Sequence, residues 1–344
     1  MRRVKRSLAG LRLLAVTAMA VCLTLLVGLE DVRADSPIEI KIGWQPAEEL
    51  NFFIAKDAKL FEKAGLKPTY IRFNAGPPML AALRTGDVDV GYMGSPPAIS
   101  AFAQGLPVSV FFIEADAGAS ESMVVQPDSG INGPEDLAGK TIGVWRGTSA
   151  EFALGHALAK AGVDRKDVNI LDLDVTALIA SFRTKEVDGI HVWDPWALRA
   201  IEMGGKTAFR DWDVGVRLPI VWLGRHNWLE NSEGGKRFIQ ALMEADAIRR
   251  ADPERAAAVA SKTLGMELST AKKFAARNHF LTAKELMDTS HPLSINPDSV
   301  KSGKGAVKII SDIAAFLLKV GRIKQMPDVA NRIDSRPLVL AVEN

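Results

Sequence analysis

The sequence predicts an α/β protein built on two doubly wound, mostly parallel sheets with a cleft between them. Three observations carry that expectation. Short apolar strands alternate with amphipathic helices from residue 38 to 126, and a composition break at 127–134 is followed by a second run of the same grammar to residue 203. Three strand-to-helix junctions, at Ser95-Pro96, Thr148-Ser149 and Asp194-Pro195, carry similar capping residues. The chain has 344 residues, 47% hydrophobic and 24% charged, which suits roughly two domains of ~150 residues each.

Residues 1–34 stand apart. Arg2, Arg3, Lys5 and Arg6 precede a nearly all-apolar run from Leu11 to Leu29, and Val32 and Ala34 occupy the −3 and −1 positions of a cleavage site. This reads as a secretory signal peptide removed before Asp35. An uncleaved anchor is the alternative, because the apolar run approaches the ~18 residues a membrane span requires. Cys22, the only cysteine, falls inside this segment; lipidation there is opposed by the bulk of Val21. From Asp35 onward no thiol is available for a disulfide or a metal. Removing 1–34 takes away six basic and two acidic residues, moving the formal charge from +2 to −2. No basic stripe is left, which argues against a nucleic-acid partner.

In chain order, residues 38–43 alternate as a first strand ending at Trp44-Gln45-Pro46. Leu50, Phe53, Ile54, Ala58, Leu60 and Phe61 then keep helical spacing behind the acids Glu48 and Glu49, and Gly65 closes that helix. A strand is expected at 69–73, a Gly76-Pro77-Pro78 turn, and a helix at 79–84 stopped by Gly86. Val88, Val90 and Tyr92 then alternate with Asp89 and Gly91 as a strand that runs into the helix opened by Ser95-Pro96. Strands at 108–113 and 122–126 complete the first run. After the break come a strand at 140–145, a helix at 150–161 stopped by Gly162, a strand at 168–173, a helix at 176–185, a strand at 187–193 and a helix at 196–203. Residues 219–224 are strand-like, and from Glu233 the pattern is helical, with no motif beyond a bracing role.

At a strand-to-helix junction, free N–H groups and the positive end of the helix dipole point off the strand's carboxyl end, a ready site for a small anion. Ser95, Thr148 and Ser149 are therefore candidate ligand donors, with plain N-capping as the alternative role of each. If the ligand also carries an ammonium, Glu48, Glu121 and Asp194 are the candidate carboxylates. Trp44, Trp193 and Trp222 stand at strand ends, where an aromatic is either core or a wall of a site. His156, His191, His226, His279 and His291 are scattered without metal-ligand spacing, and no nucleophile elbow or phosphate loop occurs, so neither a metal nor a cofactor is expected.

The combined pattern resembles a known family, the periplasmic substrate-binding proteins of ABC importers for sulfonates, and within it the taurine-binding subunits. The resemblance is carried by Leu83-Arg-Thr-Gly-Asp-Val-Asp-Val-Gly-Tyr-Met-Gly-Ser-Pro-Pro97, by residues 106–111, 120–125 and 134–140, by Val187-Asp-Gly-Ile-His-Val-Trp-Asp-Pro195 and by residues 278–282. It covers nearly all of the chain after residue 34, and parts of it are shared with binders of nitrate, alkanesulfonates and pyrimidine precursors. It implies a two-lobed, type II periplasmic-binding-protein fold with a helical C-terminal tail. The first lobe would take residues 35–125 and 220–344, the second 126–219, with crossings near 124–127 and 218–223. It further implies a small anionic or zwitterionic ligand, taurine or a related amino-sulfonate, an ABC permease and ATPase as partners, and a periplasmic location. Trp193 and Trp222 match family tryptophans and are expected as site walls; Gln45 and Pro96 complete the expected contacts. The sequence departs from the taurine pattern at Arg146, in the loop before Thr148, and at Asp194, where a smaller residue is usual. An exported enzyme on this scaffold is the competing class; the cysteine-rich motif of a pyrimidine-forming relative is absent from this sequence.

Overall fold

The computed structural model describes residues 36–343, so the export segment expected at 1–34 lies outside the described residues. The strands are β1 (Ile38–Trp44), β2 (Leu66–Arg72), β3 (Val90–Gly94), β4 (Val108–Asp116), β5 (Ser122–Val125), β6 (Thr141–Val144), β7 (Asn169–Asp172), β8 (Gly189–Val192), β9 (Lys206–Arg210), β10 (Pro219–Arg225) and β11 (His279–Phe280). The helices that matter here are α1 (Leu50–Asp57), α2 (Gly76–Thr85), α3 (Ser95–Ala103), α4 (Ser149–Ala161), α5 (Val175–Arg183), α6 (Trp196–Glu202), α7 (Ser232–Ala251), α8 (Pro253–Leu264), α9 (Leu268–Arg277) and α10 (Ala306–Lys319).

The strands form two sheets, one in the order β11-β4-β10-β3-β1-β2 and the other β7-β6-β8-β5-β9. In the first, β1 pairs in parallel with β2 and β3; in the second, β6 pairs in parallel with β7 and β8. These are the βαβ units that the alternation predicted. The strand that follows each crossing runs the other way. β10, returning from the second sheet, is inserted antiparallel between β3 and β4, and β5, arriving from the first, is antiparallel to both β8 and β9. A strand that enters a sheet from the far end must oppose its neighbours, which local alternation does not reveal.

The chain changes sheet at residues 117–121 and 211–218. Both differ from the expected crossings, and Ser122–Val125, placed with the first lobe at the sequence level, is a strand of the second sheet. The break at 127–134 misled because it is a loop within the second sheet, whereas the real crossing is a short buried run, Ala117 to Glu121, without turn residues at its surface. The Gly76-Pro77-Pro78 turn is instead the first turn of α2, where the missing proline N–H groups would have had no intrahelical partner. β10 is buried along nearly all its length and begins with Pro219, and at a strand's first residue a missing donor costs little.

The core under the first sheet is aromatic. Trp222 packs at 4.9 Å from Phe238 and 5.2 Å from Tyr92, and Phe61 stacks on Phe238 at 5.0 Å. α10 buries Ala306, Ile310, Ile313, Ala314 and Leu317, the spacing of one helical face. The segment after it is tied to the first sheet's side of the molecule: Gln325 Nε2 donates to the Ala103 carbonyl at 3.1 Å and Arg332 Nη1 to the Leu106 carbonyl at 2.8 Å.

Candidate functional site

The carboxyl ends of β1 and β3, from one sheet, and of β6 and β8, from the other, converge on one small hollow. Gln45, Glu48, Gly76, Tyr92 and Gly94 line it from the first sheet; Thr148, Ser149 and Trp193 line it from the second. The hollow is tightly closed, with a cavity volume of about 20 Å³, room for about one water. The two strand-to-helix corners come face to face: a Cβ placed on Gly94 would lie 3.2 Å from the Ser149 hydroxyl. Trp193 closes the hollow by donating its indole N–H to the Pro46 carbonyl at 3.2 Å, a contact that joins the two sheets' loops.

Local chemistry explains each corner. At the second, Thr148 is the N-cap of α4 in extended backbone, but its hydroxyl donates to the Trp145 carbonyl at 2.7 Å rather than capping the helix. The first-turn N–H groups of α4 are therefore left to other partners. At the first corner the N-cap is Gly94, not Ser95, and Ser95 is buried with a hydroxyl that has no hydrogen-bond partner among the described residues. Pro96 and Pro97 follow, so α3 supplies a dipole but few donors, and α2 with Pro77 and Pro78 is alike. Pro97 lines the hollow, whereas Pro96 faces a larger cavity between α3, α4 and α10. The donors for an anion thus come chiefly from α4.

Opposite these corners lies an unusual concentration of buried acids. Glu48 accepts the Ser120 hydroxyl at 3.0 Å; burial, then the neighbouring Glu121 and Asp194, push its carboxyl well above the ordinary range. Burial and then Asp211 push Glu121 up, with the Ser149 hydroxyl acting in the opposite sense. Burial raises Asp194 to about 7, against the pull of Arg277, whose Nε stands 3.3 Å from its carboxylate. Asp194 was expected to cap a helix with Pro195 at its first position. The Asp194–Pro195 bond is cis, the helix begins one residue later at Trp196, and the Asp194 side chain is wholly buried.

Two of the expected positions stand elsewhere, Pro96 at the larger cavity and Trp222 in the core. Trp222 does not line the hollow; it is wholly buried behind Tyr92, donating to Glu114 at 2.7 Å. Gln45, Glu48, Thr148, Ser149 and Trp193 meet at the hollow, with Ser95, Glu121 and Asp194 directly behind them. Sequence reasoning missed Tyr92 and Gly94 in the lining, Glu49, whose carboxylate holds the Gln45 N–H at 2.9 Å, Ser120 and Arg277. Glu49 was visible as the twin of Glu48, but nothing local marked Arg277. His191 pairs with Asp211 at 2.8 Å in the interior, a packing role, and among the described residues no cluster of His, Cys, Asp or Glu is arranged to hold a metal.

Residues 47–256 match the protein family described as NMT1/THI5 like. The chain belongs to the NMT1/THI5-like family. The taurine-binding periplasmic protein of Escherichia coli K12 is 30% identical over 221 residues, covering 63% of this chain and 68% of that protein. An E. coli K12 protein named for binding aliphatic sulfonates is 30% identical over 269 residues, covering 76% and 79%. In three dimensions, the alkanesulfonate-binding protein of Xanthomonas axonopodis pv. citri, solved bound to MOPS, superposes with a TM-score of 0.74 at 23% identity. The match covers 88% of this chain and 99% of that one. The NMT1/THI5-like chain therefore has the two-lobed periplasmic-binding-protein fold; the two E. coli sequence relatives are named as binding proteins, while a desulfurization enzyme, DszB, shares the fold at 14% identity with a TM-score of 0.64.

Proposed function

We propose that this protein is the extracytoplasmic solute-binding component of an ABC importer, and that it captures a small amino-sulfonate, taurine or a close relative, between two lobes. One lobe is built on the first sheet and the C-terminal helices, the other on the second sheet, and residues 117–121 and 211–218 form the hinge. The observation that carries the reading is the polarity of the hollow. A helix N-terminus whose first-turn N–H groups no N-cap side chain engages, at Thr148 and Ser149, faces Glu48, with Glu121 and Asp194 behind it. A sulfonate suits the first end, because three acceptor oxygens meet converging donors without a full counter-charge. An ammonium suits the second, because it relieves the repulsion among three buried carboxyls. The relatives' names point to the same chemistry. Delivery to a permease and ATPase follows from the class, as does export, and no helix among the described residues is long and apolar enough to cross a membrane.

A plain alkanesulfonate is the second reading, favoured by the apolar cavity between α3, α4 and α10, which shares Thr148 with the hollow. Titration calorimetry with taurine, ethanesulfonate, hexanesulfonate, nitrate and a pyrimidine precursor separates the two. Taurine is expected to bind 1:1 and to outcompete ethanesulfonate, with protons released on binding. Tighter binding of hexanesulfonate than of taurine would select the second reading, and silence from every sulfonate would remove both.

A further inference from the structure

Glu151, in the first turn of α4, is a buried acid that the ligand hollow does not use; its side chain is 7% exposed. One oxygen accepts the Gly147 N–H at 2.9 Å, which pins the loop leading into Thr148 and Ser149. The other meets two guanidiniums. Arg165, at 3.1 Å, comes from the short turn after α4 and so from the second sheet's side. Arg322 comes from the turn just after α10, and the segment that follows is fastened to α3 and to Leu106, just before β4, on the first sheet's side. Beside this ion pair, Phe316 of α10 packs edge-on against Phe152 of α4, 5.2 Å between centroids at 89°. An ion pair and a ring contact thus join the two sides of the molecule a few residues from the solute corner.

We propose that Arg322 and Glu151 form a latch across the cleft, with Glu151 acting as a positioning residue for the Thr148–Ser149 corner: the pair closes as the lobes close and fixes that corner around the solute. This rests on the closing-cleft reading above. The two arginines make such a latch reversible. A buried carboxylate stripped of its only partner is strongly disfavoured, but Arg165 stays with Glu151 when Arg322 departs. Arg322 is 33% exposed, so water is at hand to receive its guanidinium. The ion pair contributes to holding the closed form, and its loss therefore acts on solute escape more than on solute capture.

The test compares Arg322→Met, Arg322→Lys and Arg165→Met with the unaltered protein, using taurine as the ligand in stopped-flow and calorimetric titrations. Arg322→Met is expected to raise Kd about tenfold, mostly through faster dissociation, with the ligand-free melting temperature within about 2 °C of the parent. Arg322→Lys should recover most of the loss, and Arg165→Met should change Kd by less than about threefold. Equal effects of Arg322→Met and Arg165→Met, or an unchanged dissociation rate in Arg322→Met, would overturn the latch. A second readout needs no ligand. The described residues contain no cysteine, so spin labels on Lys67→Cys and Asn169→Cys, exposed positions on β2 and β7, report the separation of the lobes. Arg322→Met should shift the ligand-free distance distribution toward the longer separation. If taurine fails to bind the unaltered protein, the ligand assignment falls while these distances still decide the latch, and an unaltered distribution refutes it.

Discussion

Glu48 is placed where two demands conflict. It must be buried to wall a dry hollow, and burial beside Glu121 and Asp194 works against its charge. An ammonium entering the hollow reverses the balance, so the charge on Glu48 has its use only when the solute is present. Glu48→Gln keeps the volume and can still accept from Ser120, but removes that charge. It is expected to weaken taurine by roughly 10- to 100-fold, the range for a hydrogen bond to a charged group, while ethanesulfonate binds as well as before or better. Equal losses for both ligands in calorimetric titrations would show Glu48 to be structural. At this scale the sequence was half legible. Thr148 and Ser149 announced themselves through helix-start chemistry, which is local. The partners that tune the acids did not: Ser120 reaches Glu48 across 72 positions and Arg277 reaches Asp194 from another part of the chain, and only the fold brings them together. Trp222 shows the same limit, because a tryptophan at a strand end has the same local signature whether it walls a site or fills a core.

Among elements, the strand-to-helix corners were readable and the crossings were not. A corner is written in three or four consecutive residues, with a cap, a proline and the change of period. The insertion of β10 between β3 and β4 depends on pairing segments more than a hundred residues apart, as Leu223 does with Val110, and no window of sequence contains both. The crossings are nevertheless built with care. Asp116 accepts the Leu218 N–H at 2.9 Å and the Arg217 guanidinium at 3.0 Å, tying one crossing to the other. Gly118 packs against the other crossing: a Cβ there would lie 2.6 Å from the Val216 carbonyl oxygen and would also strike the Trp212 ring. The φ of Gly118 is not in the left-handed region, so space alone requires glycine. Gly118→Ala is expected to destabilise the protein by about 2 kcal/mol, as overpacking does, and to lower the melting temperature by roughly 5 °C. An unchanged melting curve would mean that the two crossings can part at no cost.

For the whole molecule, the acids set how stability varies with pH. Six carboxyls in the interior, Glu48, Glu49, Glu114, Glu121, Asp194 and Asp211, are all pushed upward chiefly by burial, Asp194 to about 7 and Glu114 to about 8. A group raised in the folded state holds a proton that the unfolded chain has already lost, so its stabilisation is full at acid pH and disappears as pH rises through the folded value. His191 acts in the opposite direction. Burial holds it near 3, so its contribution is full above the ordinary imidazole range and is lost as pH falls. Six groups against one set the balance between pH 5 and 8, while exposed acids lowered by surface partners, such as Glu233 beside Arg237, act only below that window. The ligand-free protein is therefore expected to melt highest near about pH 5 to 6 and progressively lower toward pH 8. Glu114→Gln, which can still accept the Trp222 N–H, should flatten part of that slope. Saturating taurine should reverse the trend, because an ammonium favours the ionised carboxyls: its stabilising effect on the melting temperature should be larger at pH 8 than at pH 5.5. Melting curves at the two pH values, with and without taurine and with ethanesulfonate as the ligand lacking an ammonium, decide the matter. A ligand-free protein more stable at pH 8 would show that water reaches the acids, and equal pH trends for the two ligands would show that no ammonium meets them.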